Sequence, residues 1–480
     1  MTGIVSFGAY IPYYRITREV MGSAMGWLGP PSVRGEKAVA NFDEDSVSMA
    51  VAAGIDCLSS MEREKIDGLY FATTTQPYVL RQNAGIIATA LDLRPDIRAI
   101  DFTDSTKSGT SAFLSACDAV KGESVANILL CTSDNRLGKP GSSEDYIYGD
   151  GAAAFLLGKE GVVATIEGSH SISYDFIDRR RAQRDEFEHS WEDRWIRDEG
   201  YAKFIPQAIM GLLEKYELSI NAFAKVIYPC THPRVHAAIG KRLGIAPDRI
   251  QDPMLTTVGD TGAPHPLMML IAALEEAKPG EKILVVSYGN GCDAFTLQVT
   301  EEIGKVRDKR GIKKHLASKK ELSSYEKYLA FRNLITPDIG IRGEEILFTQ
   351  ISTLWRERKR VLGLVGSQCR RCGTPQYPDQ IICVNPKCGA CDEMDEYRFS
   401  GQRGILSTYA CDNLAISMDP PEKYGMVDFV GGGRFIFDMT DCDSDSLKLD
   451  MEVEMTFRRR EVDESRAIHN YFWKAMPVRA

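Results

Sequence analysis

The chain has 480 residues, more than one hydrophobic core ordinarily serves, so two or three domains are expected. Its 58 Lys and Arg face 67 Asp and Glu, and the net charge of −9 argues against general affinity for nucleic acid or anionic membranes. No apolar run reaches the roughly 18 residues of a spanning helix, and Met1-Thr2-Gly3-Ile4-Val5-Ser6-Phe7 enters strand-like sequence directly, so a soluble, cytoplasmic protein is expected.

Through about residue 300, short continuous apolar runs such as Ala126–Cys131 and Lys282–Ser287 alternate with segments of helical period. Continuous apolar strands are covered on both faces, which is the layered α/β pattern. A helix is expected from about Asp45 to Ser59, capped by Asp43-Glu44-Asp45. A second begins near Lys107 and runs through Ala112-Phe113-Leu114-Ser115-Ala116-Cys117, apolar enough to be central and buried. Trp191 and Trp195, at helical spacing, are expected in the core. Between 302 and 345 the basic run Lys305–Lys314 suggests a solvated connector and surface helix. Ile346 to Leu362 reads as a helix, and the last 80 residues as short strands with glycine turns, which suggests a small β-barrel.

Five of the twelve cysteines lie between 369 and 391. Cys369-Arg370-Arg371-Cys372 and Cys383-Val384-Asn385-Pro386-Lys387-Cys388 form two knuckles whose spacing suits a closed, tetrahedral structural zinc site. Cys391 competes with Cys388, because these two also form a two-residue-spaced pair.

Tyr148-Gly149-Asp150-Gly151-Ala152-Ala153-Ala154, Tyr174-Asp175-Phe176, Val258-Gly259-Asp260-Thr261-Gly262-Ala263 and Ser287–Phe295 together resemble the landmark loops of thiolase-superfamily condensing enzymes, most closely the archaeal-type hydroxymethylglutaryl-CoA synthases. The resemblance covers roughly residues 1–340 and implies a five-layered α/β/α/β/α fold, a homodimer and an acyl-CoA thioester as substrate. The tail resembles the zinc-ribbon and OB-fold domain that accompanies many thiolase-like proteins. The expected division is 1–340 for the thiolase-like domain, 345–395 for a helix plus zinc ribbon, and 396–480 for the OB-fold domain.

The family's central helix starts at a nucleophilic Cys, and here that position carries Thr106, in Thr106-Lys107-Ser108-Gly109-Thr110. A helix terminus turns a thiol into a thiolate, but a threonine hydroxyl gives no accessible anion. The loop that holds the family's acid/base Glu reads Thr73-Thr74-Thr75-Gln76-Pro77-Tyr78, and a loop that commonly reads Gly-Asn-Thr carries Asp260. The family's oxyanion-hole His follows a strand like Lys225–Tyr228; strict spacing reaches Pro229, and His232 is the nearest counterpart, with His236 and His265 as rivals. Aldol or retro-aldol chemistry on a 3-hydroxyacyl-CoA needs no acyl-enzyme, and the base for it would be Asp260, His232 or Tyr288, with Cys292 beside it.

Two other readings stand beside that one. In the first, a Claisen-type acyltransferase has relocated its nucleophile to Ser105, Ser108 or Cys292. In the second, the chain is a silent partner of a complete thiolase, against which stands the cost of burying unused Asp and His. By resemblance Arg179, Arg180, Arg181 and Arg184 lie near a CoA tunnel and suit its phosphates; a surface salt-bridge lattice with Glu186, Glu188, Glu192 and Asp193 explains the same run.

Overall fold

A computed structural model of the chain describes residues 1–29, 31, 33–59, 61–338 and 349–479. Nine strands form one mixed sheet: β1 (Gly3–Tyr10), β2 (Gly68–Ala72), β3 (Arg98–Phe102), β4 (Ile128–Asp134), β5 (Gly151–Gly158), β6 (Ala164–Ser173), β7 (Lys225–Ile227), β8 (Lys282–Val286) and β9 (Gly291–Val299). Their spatial order is β7-β8-β9-β6-β1-β5-β4-β2-β3. Only two residue pairs, Gly3 with Thr165 and Ile4 with Ala164, join β1 to β6, so the sheet is two halves meeting at a narrow seam.

Six helices sandwich these halves: α1 (Ser46–Cys57), α2 (Asn83–Ala90), α3 (Ser108–Lys121), α4 (Ala202–Lys215), α5 (Pro233–Arg242) and α6 (His265–Leu274). Helices α1 and α2 cover one face of the β1-containing half. Between the halves lie α3 and α6, and α4 packs on the outer face of β6 and β9, with α5 against it. The result is the five-layered thiolase-like α/β fold. Burial explains the compositions: nine of the ten residues of α6 are buried, and a helix enclosed on every side has no polar face to keep. Asp45 caps α1 through the Ser48 N–H, as the acidic run before it implies.

The basic stretch after residue 302 departs from the solvated connector expected of it. Lys309 is buried and its ammonium donates to the carbonyls of Asp56 and Cys57, closing the C-terminal end of α1. Ile312 and His315 are buried as well. Local charge density disguised an element whose apolar side fills the body. Beyond Asp338 the helix expected from Ile346 begins outside the described residues and continues as two short helices, Ile351–Arg356 and Arg358–Gly363.

Three short strands, β10 (Val365–Cys369), β11 (Pro375–Gln376) and β12 (Met394–Arg398), carry the cysteine knuckles. Five more follow, β13 (Arg403–Asp412), β14 (Glu422–Phe429), β15 (Arg434–Asp438), β16 (Glu452–Asp463) and β17 (Ile468–Pro477), in the order β15-β14-β13-β16-β17. A bridge between Met439 and Ala475 brings the two outer strands together and curls this sheet into a barrel. The barrel packs through β16 on α1, and one apolar cluster runs from Val47 and Ala50 to Phe457 and Trp473. No helix among the described residues is long and apolar enough to cross a membrane.

Candidate active site and metal centre

A cleft of about 380 Å³ opens at the N-terminal end of α3. Its floor carries Ser105 and Thr106; its walls come from the 74–79 loop, the 178–183 strap, the segment after β7, the loop before α6 and the β8–β9 turn. The turn lies against the floor so closely that a Cβ on Gly289 would sit 2.5 Å from Thr106 Oγ1 and 2.6 Å from Ser105 Oγ. Thr106 Oγ1 donates to the Tyr288 carbonyl at 2.8 Å, and Ser105 Oγ to the Gly289 carbonyl at 2.9 Å. Neither hydroxyl has an ionisable base as its hydrogen-bond acceptor.

A charge cluster forms part of the cleft wall, where Arg179, Glu188 and Asp260 line it. Arg136 grips the Glu188 carboxylate through Nε at 2.6 Å and Nη2 at 2.7 Å, and its Nη1 reaches Asp260 Oδ2 at 3.1 Å. Arg179 meets the same Asp260 oxygen at 3.2 Å. The Arg136 guanidinium lies 3.7 Å from the Tyr148 ring centroid, and the Tyr148 hydroxyl donates to Glu188. Two guanidiniums thus balance two carboxylates. Burial would raise the Asp260 pKa, but Arg136, His265, Arg179 and the Gly262 N–H hold it well below the carboxylate range. Asp260 is therefore a fixed anion rather than the proton acceptor expected from the sequence.

Tyr288 also departs from expectation. Its hydroxyl donates to Asp178 Oδ2 at 2.7 Å and its ring stacks on Tyr201 at 4.1 Å. Burial, with Asp178 adding to it, drives the phenol pKa far up, which favours the neutral phenol over a phenolate. Cys292 is fully buried in β9 and does not line the cleft; burial pushes its thiol up, away from reactivity.

Among the histidines, His265 lines the cleft at the start of α6. Its Nδ1 accepts from the Thr261 N–H at 3.2 Å, which puts the proton of the neutral ring on Nε2, and burial lowers its pKa against the opposing pull of Asp260. His232 instead pairs with Asp193 at 3.3 Å and lies outside the cleft lining; Cys230 and Thr231 take the wall there. His236 is buried in α5 against Tyr228.

Of the arginines, Arg179 is the deep partner of Asp260 rather than a residue of the tunnel mouth. Arg180, Arg181 and Arg184 are exposed, and Arg181 donates to the Thr74 carbonyl at 2.5 Å. Trp191 and Trp195 are 51% and 43% exposed and pack on each other, so helical spacing misassigned them to the core.

Sequence reasoning missed Asp134, Arg136, Tyr201 and Cys230. Asp134 ends β4 and accepts from Thr73, Thr74, Thr75 and the Ala263 N–H, tying two cleft loops together. The available signal was Asp134-Asn135-Arg136 directly after an apolar strand, since polar groups at the carboxyl ends of strands are where α/β sheets build sites. Cys230 lines the cleft, but burial pushes its thiol up to about 12.

At the ribbon, the sulfurs of Cys369, Cys372, Cys383 and Cys388 all lie within 4.8 Å of one another. Cys369 and Cys388 are 3.8 Å apart, and Cys372 and Cys383 3.5 Å. A tetrahedron of thiolates about 2.3 Å from a metal has edges near 3.8 Å, so this donor set fits a closed four-sulfur metal site. Cys391 is exposed and falls outside the group.

No protein-family model matches the chain. The hydroxymethylglutaryl-CoA synthase of Methanobrevibacter smithii is 31% identical over 344 residues, covering 70% of this chain and 99% of that protein. The enzyme of the same name from Pyrococcus furiosus is 32% identical over 313 residues, 64% of this chain and 89% of its own. Among solved structures, a hydroxymethylglutaryl-CoA synthase complexed with CoA superposes with a TM-score of 0.63 at 17% identity, over 73% of this chain and 95% of that one. The 3-oxoacyl-(acyl carrier protein) synthase III of Pseudomonas aeruginosa superposes with a TM-score of 0.55 at 16% identity, over 62% and 98%. With nearly the full length of its relatives matched at this identity, and with the fold they share, the chain belongs to the hydroxymethylglutaryl-CoA synthase family of thiolase-fold enzymes.

Proposed function

We propose that the protein is an acyl-CoA-dependent condensing enzyme, a Claisen-type acyltransferase that forms carbon–carbon bonds. The observation that carries this reading is the cleft at the N-terminal end of α3, where the chain presents Ser105 and Thr106 at the place the family gives to its nucleophile. The relatives are synthases, so bond formation takes precedence over the aldol cleavage expected from the sequence. In this reading the positive end of α3 and the His265 ring polarise the thioester carbonyl, a floor hydroxyl attacks it, and as the carbon–sulfur bond breaks the hydroxyl proton leaves with CoA as the free thiol.

A second reading is favoured by one observation. Both floor hydroxyls donate to backbone carbonyls and lack a base, which suits an aldol-type reaction on the thioester itself with no acyl-enzyme. Intact-protein mass spectrometry after incubation with acetyl-CoA and 3-hydroxyacyl-CoA esters, with product analysis, separates the two. An acyl increment mapped to Ser105 or Thr106 supports the transferase. Turnover without an increment supports the direct reaction, and neither signal with any ester sinks both in favour of a silent partner.

CoA is the proposed carrier of the acyl group, with Arg180, Arg181 and Arg184 on the exposed strap as its phosphate contacts. The proposed metal of the four-cysteine site is structural zinc, and the barrel is read as an OB fold. These belong to three domains with boundaries near 340 and 395. A homodimer is proposed across β3, an edge strand whose residues are only partly covered. Twelve unpaired cysteines favour a reducing, cytoplasmic setting.

A further inference from the structure

Where the barrel meets the body, buried charges gather. Arg458 pairs with Asp43, Glu44 and Asp441, Lys474 with Asp43, and Arg479 with Asp441. Arg15, on the strand Tyr14–Thr17, joins them within electrostatic reach of Glu36, Arg479 and Glu44. Arg458, Lys474 and Arg479 each have a carboxylate at ion-pair distance. Arg15 is 1% exposed and carries no ion pair with any described residue; its Nη1 donates to the carbonyls of Pro12 and Tyr14. Its Nε and Nη2, the two N–H groups that form the side-on fork of a guanidinium, have no partner. Arg479, 7% exposed and lying 4.5 Å over the Tyr13 ring, leaves Nε and Nη1 unpartnered as well.

Water could satisfy those hydrogen bonds but not the want of an ion-pair partner for Arg15. An uncompensated guanidinium in a protein interior is strongly unfavourable, whereas an anion meets both demands. We propose that a small monovalent anion, a halide or a short carboxylate, binds between Arg15 and Arg479 and completes the junction of body and barrel. Its place is remote in sequence and chemistry from the cleft, so it acts on stability and on the seating of the barrel rather than on the reaction.

The test compares sodium bromide and sodium formate with sodium gluconate at constant ionic strength, using the full chain. Bromide or formate should raise the melting temperature saturably, by about 3 °C, while bulky gluconate should not. Bromide alone marks a halide site, formate alone a carboxylate site. Arg15→Met should abolish the increment. Should that variant not fold, bromide-soaked wild-type crystals decide: an anomalous peak beside the Arg15 Nε–Nη2 edge is expected. A melting temperature indifferent to anion identity, with no bromide at Arg15, overturns the proposal.

Discussion

Asp260 is where one side chain most changes the character of the site. The family pattern has an amide there; this chain has a carboxylate held by Arg136 and Arg179, and the loop that contains it turns at Gly259 and Gly262, both at positive φ. Asp260→Asn leaves two buried guanidiniums against the single carboxylate of Glu188, and removal of one member of a buried ionic cluster costs about 3 kcal/mol or more. Urea unfolding at pH 7 should report that loss. The pH dependence has a definite sign: the folded pKa of Asp260 is depressed, so its contribution is fully present above about pH 4 and is lost as pH falls below that. The wild type should therefore lose stability faster than Asp260→Asn on acidification below pH 4. The sequence made Asp260 and Tyr288 visible as unusual residues but hid what surrounds them, because their partners Arg136, Arg179 and Asp178 come from other segments. A role set by contacts between distant loops cannot be read from local spacing.

At the level of elements, what the sequence made legible was what is local. The cap at Asp45, the start of α3 and the paired cysteine knuckles each rest on residues a few positions apart. For the knuckles the expected outcome is about one zinc per chain by elemental analysis, lost together with the ribbon's protection from proteolysis when Cys383→Ser removes one of the four sulfurs. What stayed hidden was how elements meet, and the wall of the cleft is the clearest case. The His469 N–H of β17 donates to the Tyr78 hydroxyl at 2.7 Å, and the two rings are 5.0 Å apart, so the barrel holds the loop that supplies Thr74, Gln76 and Val79 to the cleft. Nearly four hundred residues separate these two groups in the chain. Tyr78→Phe removes the acceptor and keeps the ring; leaving that N–H unpaired costs about 1–2 kcal/mol locally. Hydrogen exchange of peptides spanning residues 74–83 should quicken while α3 is unchanged, and equal protection in the two proteins would detach the barrel from the cleft wall.

For the molecule as a whole, the barrel is joined to the body by ionic as well as apolar contacts. Arg458 is fully buried and lies 2.6 Å from both Glu44 and Asp441, and Tyr471 donates to Asp45 at the head of α1. Arg458→Leu keeps the volume apolar but strands Glu44 and leaves Asp43 and Asp441 with only Lys474 and Arg479, so it should cost about 3–5 kcal/mol and free the barrel before the nine-stranded sheet melts. Glu44 gives the same junction a dependence on pH. Burial raises its pKa to about 7 despite the pull of Arg458, so folding takes up a proton that the unfolded chain would have released. A raised folded pKa means the contribution is fully present below about pH 4 and is lost as pH rises through about 7. The prediction runs opposite to that for Asp260: between pH 5 and 8 the barrel transition of the wild type should move to lower temperature, whereas Glu44→Gln, which fixes the neutral form, should flatten that decline. Calorimetry across this range at a constant concentration of one anion reads the difference directly. Parallel slopes in the two proteins would mean that Glu44 does not titrate between pH 5 and 8 and that its carboxylate stays ionised beside Arg458.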